Sequence, residues 1–334
     1  MNLLSKLLAE NDWLMADGAT GTNLFNRGLE AGEAPELWNV DQPAKIKALY
    51  QDAVDSGSDI FLTNSFGGTA ARLKLHNAQH RVRELNKLAA ELGREVADKA
   101  GRPVVVAGSV GPTGEIFEPL GPLSHAEAVE MFQEQGAALM EGGADVLWLE
   151  TISAPEEYKA AAEAFANIDA PWVGTMSFDT AGRTMMGLTS SDMVDMALGI
   201  ENRPLGFGAN CGVGASDLLR TIQGFKAANP EIPIVAKGNA GIPKFVHGHI
   251  HYDGTPELMG KYAVMVRNSG AKIIGGCCGT MPEHLLAMRK ALEETPMGAA
   301  PTDEEITAVL GGFSSKSDGT GDEPAPKRIR RRRK

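Results

Sequence analysis

The sequence predicts an α/β protein built as a (β/α)8 TIM barrel, and three observations carry that prediction. Eight short apolar runs recur along the chain, separated by helix-length segments with 3.6-residue patterning. The runs are rich in Val, Ile and Leu without strict alternation, as parallel strands buried on both faces require. Polar and sulfur-bearing residues gather at the C-terminal ends of those runs, the end where such a barrel keeps its active site. A doubly wound open sheet shares the alternation. It wants G-x-G-x-x-G after the first strand, however, and Asp17-Gly18-Ala19-Thr20-Gly21-Thr22 does not match.

In chain order the strand candidates are Trp13–Asp17, Asp59–Asn64, Pro103–Ser109, Asp145–Glu150, Trp172–Phe178, Leu205–Asn210, Pro233–Lys237 and Lys272–Gly276. Helical patterning covers, among others, Pro43–Val54, Ala126–Glu141, Ala154–Ala166, Asp217–Ala228, Pro256–Ser269 and Pro282–Leu292. At or just past the strand ends fall Asp17, Asn64, Ser109, Glu150, Ser177, Cys211, Asn239, Cys277 and Cys278. The barrel domain is expected to occupy residues 1–298, leaving 299–334 as a flexible tail. In that tail a short helix ends near Leu310, and Gly311–Pro326 has the composition of a disordered linker. A basic cluster, Lys327–Lys334, closes the chain. Residues 311–334 are expected to be dispensable for the core reaction, because the eighth strand and its helix already close the barrel.

Charge and composition narrow the function. The 334 residues carry a formal net charge of −11, yet residues 327–334 hold seven basic side chains and no acid. The body is therefore more acidic than the total, which argues against nucleic acid as a partner. No apolar run is long enough to span a bilayer, so no membrane partner is expected. Met1-Asn2-Leu3-Leu4-Ser5-Lys6 lacks the apolar core and cleavage site of a signal peptide. With unpaired thiols, this predicts a cytoplasmic protein.

The three cysteines, Cys211, Cys277 and Cys278, all sit in glycine-flanked turns after strand candidates. Adjacent cysteines make poor disulfides, and an odd number leaves one unpaired. Three thiolates on Zn2+ explain both facts and leave one coordination position open; the alternative is three small buried cysteines. A sulfur-rich zinc site is a modest Lewis acid but lowers the pKa of a bound thiol. It suits alkyl transfer to sulfur better than activation of water. Glu150 ends an apolar strand, a costly place for a carboxylate that is neither paired nor functional. Asp17 precedes Gly18, whose turn exposes N–H groups. Together these residues can hold an amino acid, with the acids on its ammonium and the turn on its carboxylate. An ion pair with a neighbouring Lys or Arg, or a plain turn, are the alternatives.

Seven ordered motifs resemble the homocysteine S-methyltransferase family across about residues 10–294. They are Asp17-Gly18-Ala19-Thr20-Gly21-Thr22, Glu36-Leu37-Trp38-Asn39, Thr63-Asn64-Ser65-Phe66-Gly67, Gly108-Ser109-Val110-Gly111-Pro112, Gly208-Ala209-Asn210-Cys211, Asn239-Ala240-Gly241 and Gly275-Gly276-Cys277-Cys278-Gly279. The resemblance implies a barrel in which Cys211, Cys277 and Cys278 hold zinc and act on homocysteine sulfur. It implies homocysteine contacts for Asp17 and Glu150, and a zinc-filling role for Asn239 before homocysteine displaces it. Trp38 matches an aromatic of the donor site in betaine-using members, which use cation–π attraction. Gly67 and Thr151 stand where those members have tyrosines. The expected methyl donor is therefore a betaine-like small onium or a methyl-corrinoid on a carrier protein. Gly18, Asn64 and Ser109 complete the expected substrate-binding set.

One array points elsewhere. His247-Gly248-His249-Ile250-His251 puts three imidazoles on one side of an extended segment. It keeps a metal-dependent hydrolase on the same barrel as the alternative, distinguishable by a second metal equivalent. A solvated or donor-contacting loop is the preferred reading of the array, since loop residues often serve binding without metal.

Overall fold

The computed structural model describes residues 2–228, 230–241, 244–246 and 249–321, with only the backbone of residues 244–246 and 249–251. All eight expected strands form. They are β1 (Leu14–Met15), β2 (Ile60–Leu62), β3 (Val105–Val110), β4 (Val146–Ile152), β5 (Trp172–Met176), β6 (Gly206–Cys211), β7 (Ile234–Gly238) and β8 (Ala271–Gly276). Every neighbouring pair is parallel, from β2–β3 round to β7–β8. The ring closes through β1, which pairs with β8 at Leu14↔Ile273 and bridges to β2 at Ala16↔Ile60.

A helix follows each strand: α1 (Pro43–Asp55), α2 (Val82–Ala97), α3 (His125–Glu141), α4 (Pro155–Asn167), α5 (Ser190–Gly199), α6 (Ala215–Ala227), α7 (Pro256–Asn268) and α8 (Pro282–Glu294). Four of them, α1, α4, α7 and α8, start on a proline. Its fixed φ suits the first turn, where its missing N–H has no partner to lose. α3 and α5 start instead with capping boxes, Ser124/Glu127 and Thr189/Asp192.

Side chains that point into the barrel follow the two-residue period of a strand. The inner cluster takes Val105 and Ala107 from β3, Val146 and Trp148 from β4, Val173 from β5, Val235 from β7 and Ile273 from β8. Two residues further up the same rows stand Ser109, Glu150, Thr175, Lys237 and, past Gly275, Cys277. The interior is thus apolar below and polar at the mouth. The floor is plugged by an N-terminal helix, Leu3–Glu10, that the strand pattern does not announce. Asn2 caps it, and Leu4, Leu7 and Leu8 join the inner cluster.

Between β7 and α7 the strands Lys244–Val246 and His249–His251 pair antiparallel as a hairpin. His247 and the side chains of His249 and His251 lie outside the described residues, as does the basic cluster 327–334.

The stretch expected as a flexible tail makes contacts as far as residue 321. A further helix, α9 (Asp303–Leu310), has a Thr302/Glu305 capping box and buries Ile306. Beyond it the chain runs along α6: Ser216 Oγ donates to Gly311 O at 2.7 Å, and Ser314 N–H to Asp217 Oδ2 at 3.1 Å. The Arg220 guanidinium lies 3.2 Å from the Phe313 ring centroid and donates to Ser315 O at 3.2 Å. Gly319 then crosses Gly182 in the loop after β5. A Cβ on Gly182 would lie 2.3 Å from the Asp318 carbonyl, so only glycine permits the crossing. No helix among the described residues is long and apolar enough to cross a membrane.

Candidate active site

The two cysteine turns meet at the barrel mouth because β6 and β8 flank β7. Cys211 ends β6, and Cys277 and Cys278 directly follow β8. All three are free thiols, with their sulfurs within 4.8 Å of one another. Cys211 Sγ and Cys278 Sγ are 3.8 Å apart. Tetrahedral zinc at about 2.3 Å from sulfur separates its sulfur ligands by about 3.8 Å, so the spacing fits the metal. In the free thiols, hydrogen bonds from Cys211 and Cys277 pull Cys278 down, and the same bonding pushes Cys211 up.

Asn239 ties the turns together. It receives the Cys278 N–H on Oδ1 at 3.0 Å and donates from Nδ2 to Gly212 O at 3.0 Å. Both ends of its amide are spent on backbone. Cys211 itself has φ +62°, as does Thr151 after Glu150. Such a conformation costs a non-glycine residue about 1–3 kcal/mol and persists only where neighbours enforce it. Asn210 does so for Thr151, accepting its N–H at 2.8 Å and donating to its hydroxyl at 2.8 Å.

Beneath the thiols sit three charged side chains. Asp17 Oδ1 bonds Lys237 Nζ at 2.5 Å, while Oδ2 accepts the Leu62 N–H at 2.8 Å. Asp17 and Lys237 are both buried. Burial raises the Asp17 carboxyl, with Lys237 opposing it. Burial disfavours the Lys237 ammonium too, yet Asp17 and Glu150 together leave its pKa raised. Glu150 Oε1 accepts the Ser109 hydroxyl at 2.5 Å. Burial pushes Glu150 up to about 7 against the pull of Lys237.

Of the expected residues, Cys211, Cys277, Cys278, Asn239, Asp17, Glu150 and Ser109 come together at the mouth through these contacts. Gly18 packs its turn on the Cys277–Cys278 turn: a Cβ there would lie 2.6 Å from Thr280 O, and the Ala19 N–H already bonds that oxygen at 3.1 Å. Trp38 and Asn64 belong to a different arrangement. Trp38 packs among Leu24, Ile46 and Tyr50, with Lys45 Nζ 4.4 Å from its ring centroid. The Asn64 amide donates to Pro35 O at 2.7 Å and Asn39 Oδ1 at 3.0 Å. Glu36 accepts the Gly67 N–H at 2.6 Å. The two motifs that contain these residues lock onto each other.

Sequence reasoning missed Lys237, Asn210 and Tyr252. A lysine at the end of the apolar run Ile234-Val235-Ala236 was the available signal for the first. Asn210 was visible only as part of a motif. Tyr252, whose ring packs on Gly279 and whose hydroxyl helps hold Cys278 low, had no signal.

A (β/α)8 barrel with three convergent thiols at its mouth and titratable side chains below them defines a barrel class whose candidate site lies at the C-terminal rim. The chain belongs to the homocysteine S-methyltransferase family, whose profile matches residues 14–292. It is 28% identical over 300 residues to methionine synthase of Mycobacterium tuberculosis (strain ATCC 25618 / H37Rv), covering 84% of this chain and 24% of that protein. The chain therefore spans about a quarter of that relative's length. Among solved structures it resembles the homocysteine methyltransferase MmuM from Escherichia coli. The metallated form superposes with TM-score 0.72 at 25% identity, covering 86% of this chain and 99% of that one. The oxidized form gives TM-score 0.73 at 25% identity, covering 87% and 99%. Membership of this methyltransferase family separates the chain from the hydrolase that a barrel alone allows.

Proposed function

We propose that the chain is a zinc-dependent homocysteine S-methyltransferase that makes methionine. The observation that supports this best is the three-thiol cluster at tetrahedral-zinc spacing above the Glu150 carboxylate. Cys211, Cys277 and Cys278 would hold the metal. Zinc bound there supplies a lowered thiol pKa, so that a coordinated thiol is a thiolate at neutral pH. The chain's own groups do the rest. Glu150, oriented by Ser109, takes the substrate ammonium. Asn239 fixes the two cysteine turns relative to each other. The apolar interior below keeps water from reaching the sulfur from the floor. The substrate thiolate then attacks the methyl carbon in line, forming the S–C bond as the donor leaves with its electron pair.

The donor is a small onium or a methyl-corrinoid on a carrier protein. Lys45 already covers a face of Trp38, which speaks against that ring as an onium cage. A donor panel with zinc-loaded protein and homocysteine tests the reading. Betaine, S-methylmethionine, dimethylsulfoniopropionate and methylcobalamin are compared by methionine formed. One donor class is expected to dominate; zinc-loaded protein that makes no methionine from any of them defeats the proposal.

A further inference from the structure

In a site that offers two carboxylates to one ammonium, the question is which carboxylate is free. Both Asp17 oxygens are engaged, Oδ1 by Lys237 at 2.5 Å and Oδ2 by the Leu62 N–H at 2.8 Å. The pair is sealed in the interior, with Asp17 6% and Lys237 2% exposed. A buried lysine so placed is held by its charge partner, because an unpaired ammonium there is costly. Its Nζ also faces the Trp148 ring, 5.6 Å from the centroid. Glu150 differs on each point. It is only partly buried, and one oxygen accepts Ser109 while Oε2 takes no hydrogen bond among the described residues. The titratable groups that face Lys237 are Asp17, Glu150 and Cys277.

We propose that Lys237 is a positioning residue that withdraws Asp17 from the substrate, so that Glu150 alone takes the ammonium of homocysteine. This rests on the homocysteine reading above. Lys237 and Asp17 then form a neutral strut between β7 and the end of β1, and Glu150 remains as the one carboxylate open to an incoming ammonium. Specificity for an amino acid over a plain thiol acid lies in Glu150, and Lys237 protects it by staying on Asp17.

The test is calorimetric binding to the full, zinc-loaded chain. Two probes are used: homocysteine and 4-mercaptobutanoate, which has the same thiol and carboxylate but no amine. The wild type is expected to prefer homocysteine by about 10- to 100-fold, the reach of one charge-assisted hydrogen bond. Wild type that binds zinc but neither probe defeats the homocysteine reading itself, and is distinct from every outcome below. Glu150→Gln should erase the preference. Asp17→Asn should also reduce it, because the released Lys237 ammonium turns to Glu150. The double variant Asp17→Asn/Lys237→Met removes the strut as a unit and should restore the preference to within about threefold of wild type. A double variant as poor as Asp17→Asn alone shows Asp17 to be a ligand and overturns the proposal. If the double variant does not fold, the wild-type chain crystallised with homocysteine decides. The ammonium is expected on Glu150 with Lys237 still on Asp17; an ammonium on Asp17 with Lys237 turned away overturns it.

Discussion

Glu150 binds its proton more tightly in the folded chain than in the unfolded one, because burial lifts its pKa from 4.5 to about 7. The stability this contributes is full below pH 4.5 and is lost as pH rises through about 7. Glu150→Gln should therefore melt with the wild type at pH 4 and above it at pH 8, by about 2 °C or more, while losing its hold on homocysteine. Equal melting at pH 8 would mean that the carboxylate is solvated. At the cysteines, about one zinc per chain is expected, and Cys211→Ala, Cys277→Ala or Cys278→Ala should each lose tight binding. Asn239→Ala keeps all three thiols but unties their turns. It should weaken zinc by about 10- to 100-fold in competition with a chromophoric chelator; unchanged affinity would reduce Asn239 to a bystander. The thiols and Glu150 were legible because sulfur and charge after apolar strands stand out. Lys237 was not, because a terminal lysine on an apolar run looks like a strand end reaching for solvent. Trp38 and Asn64 stood out through specific motifs, and the structure joins those two motifs to each other through Asn64, Asn39 and Glu36.

At the level of elements, the segment after α9 is where composition and structure part. Gly, Ser and Asp between residues 311 and 321 have the composition of a linker. Yet beside the Phe313 ring and Ser314, backbone carbonyls receive Ser216, Arg220 and Arg183, and no residue pattern records those. The strands, by contrast, were legible because burial on both faces demands continuous apolar runs. The dispensability expected for residues 311–334 now divides in two. A chain cut after Gly321 should melt with the full chain. A cut after Leu310 frees both α6, which follows Cys211, and the loop around Arg183. It should melt lower by several degrees and expose Arg183 to trypsin. Identical melting and digestion of the two cuts would make the contacts incidental and support a boundary at residue 298.

Over the whole molecule, closure of the barrel rests on β1, only two residues long, and on the single bridge Ala16↔Ile60 to β2. The eight-fold alternation announced the ring, but nothing in the residues marked where it shuts. The helix Leu3–Glu10 reinforces that weak seam from below by filling the floor. Leu4 is fully buried there, and Leu4→Ala should cost about 2–5 kcal/mol in denaturant unfolding. A loss under 0.5 kcal/mol, about that of a surface change, would show the plug to be loose. The plug and the crossing at Gly319 also send the two ends of the described chain to opposite faces. A carrier module joined ahead of Leu3 begins behind a sealed floor and must reach around the barrel. One joined after Gly321 begins at the rim, beside the loops that frame the thiols. Tethered delivery depends on the match between linker and span, so the side of attachment, before any contact is made, sets how concentrated a delivered methyl group is at the sulfur.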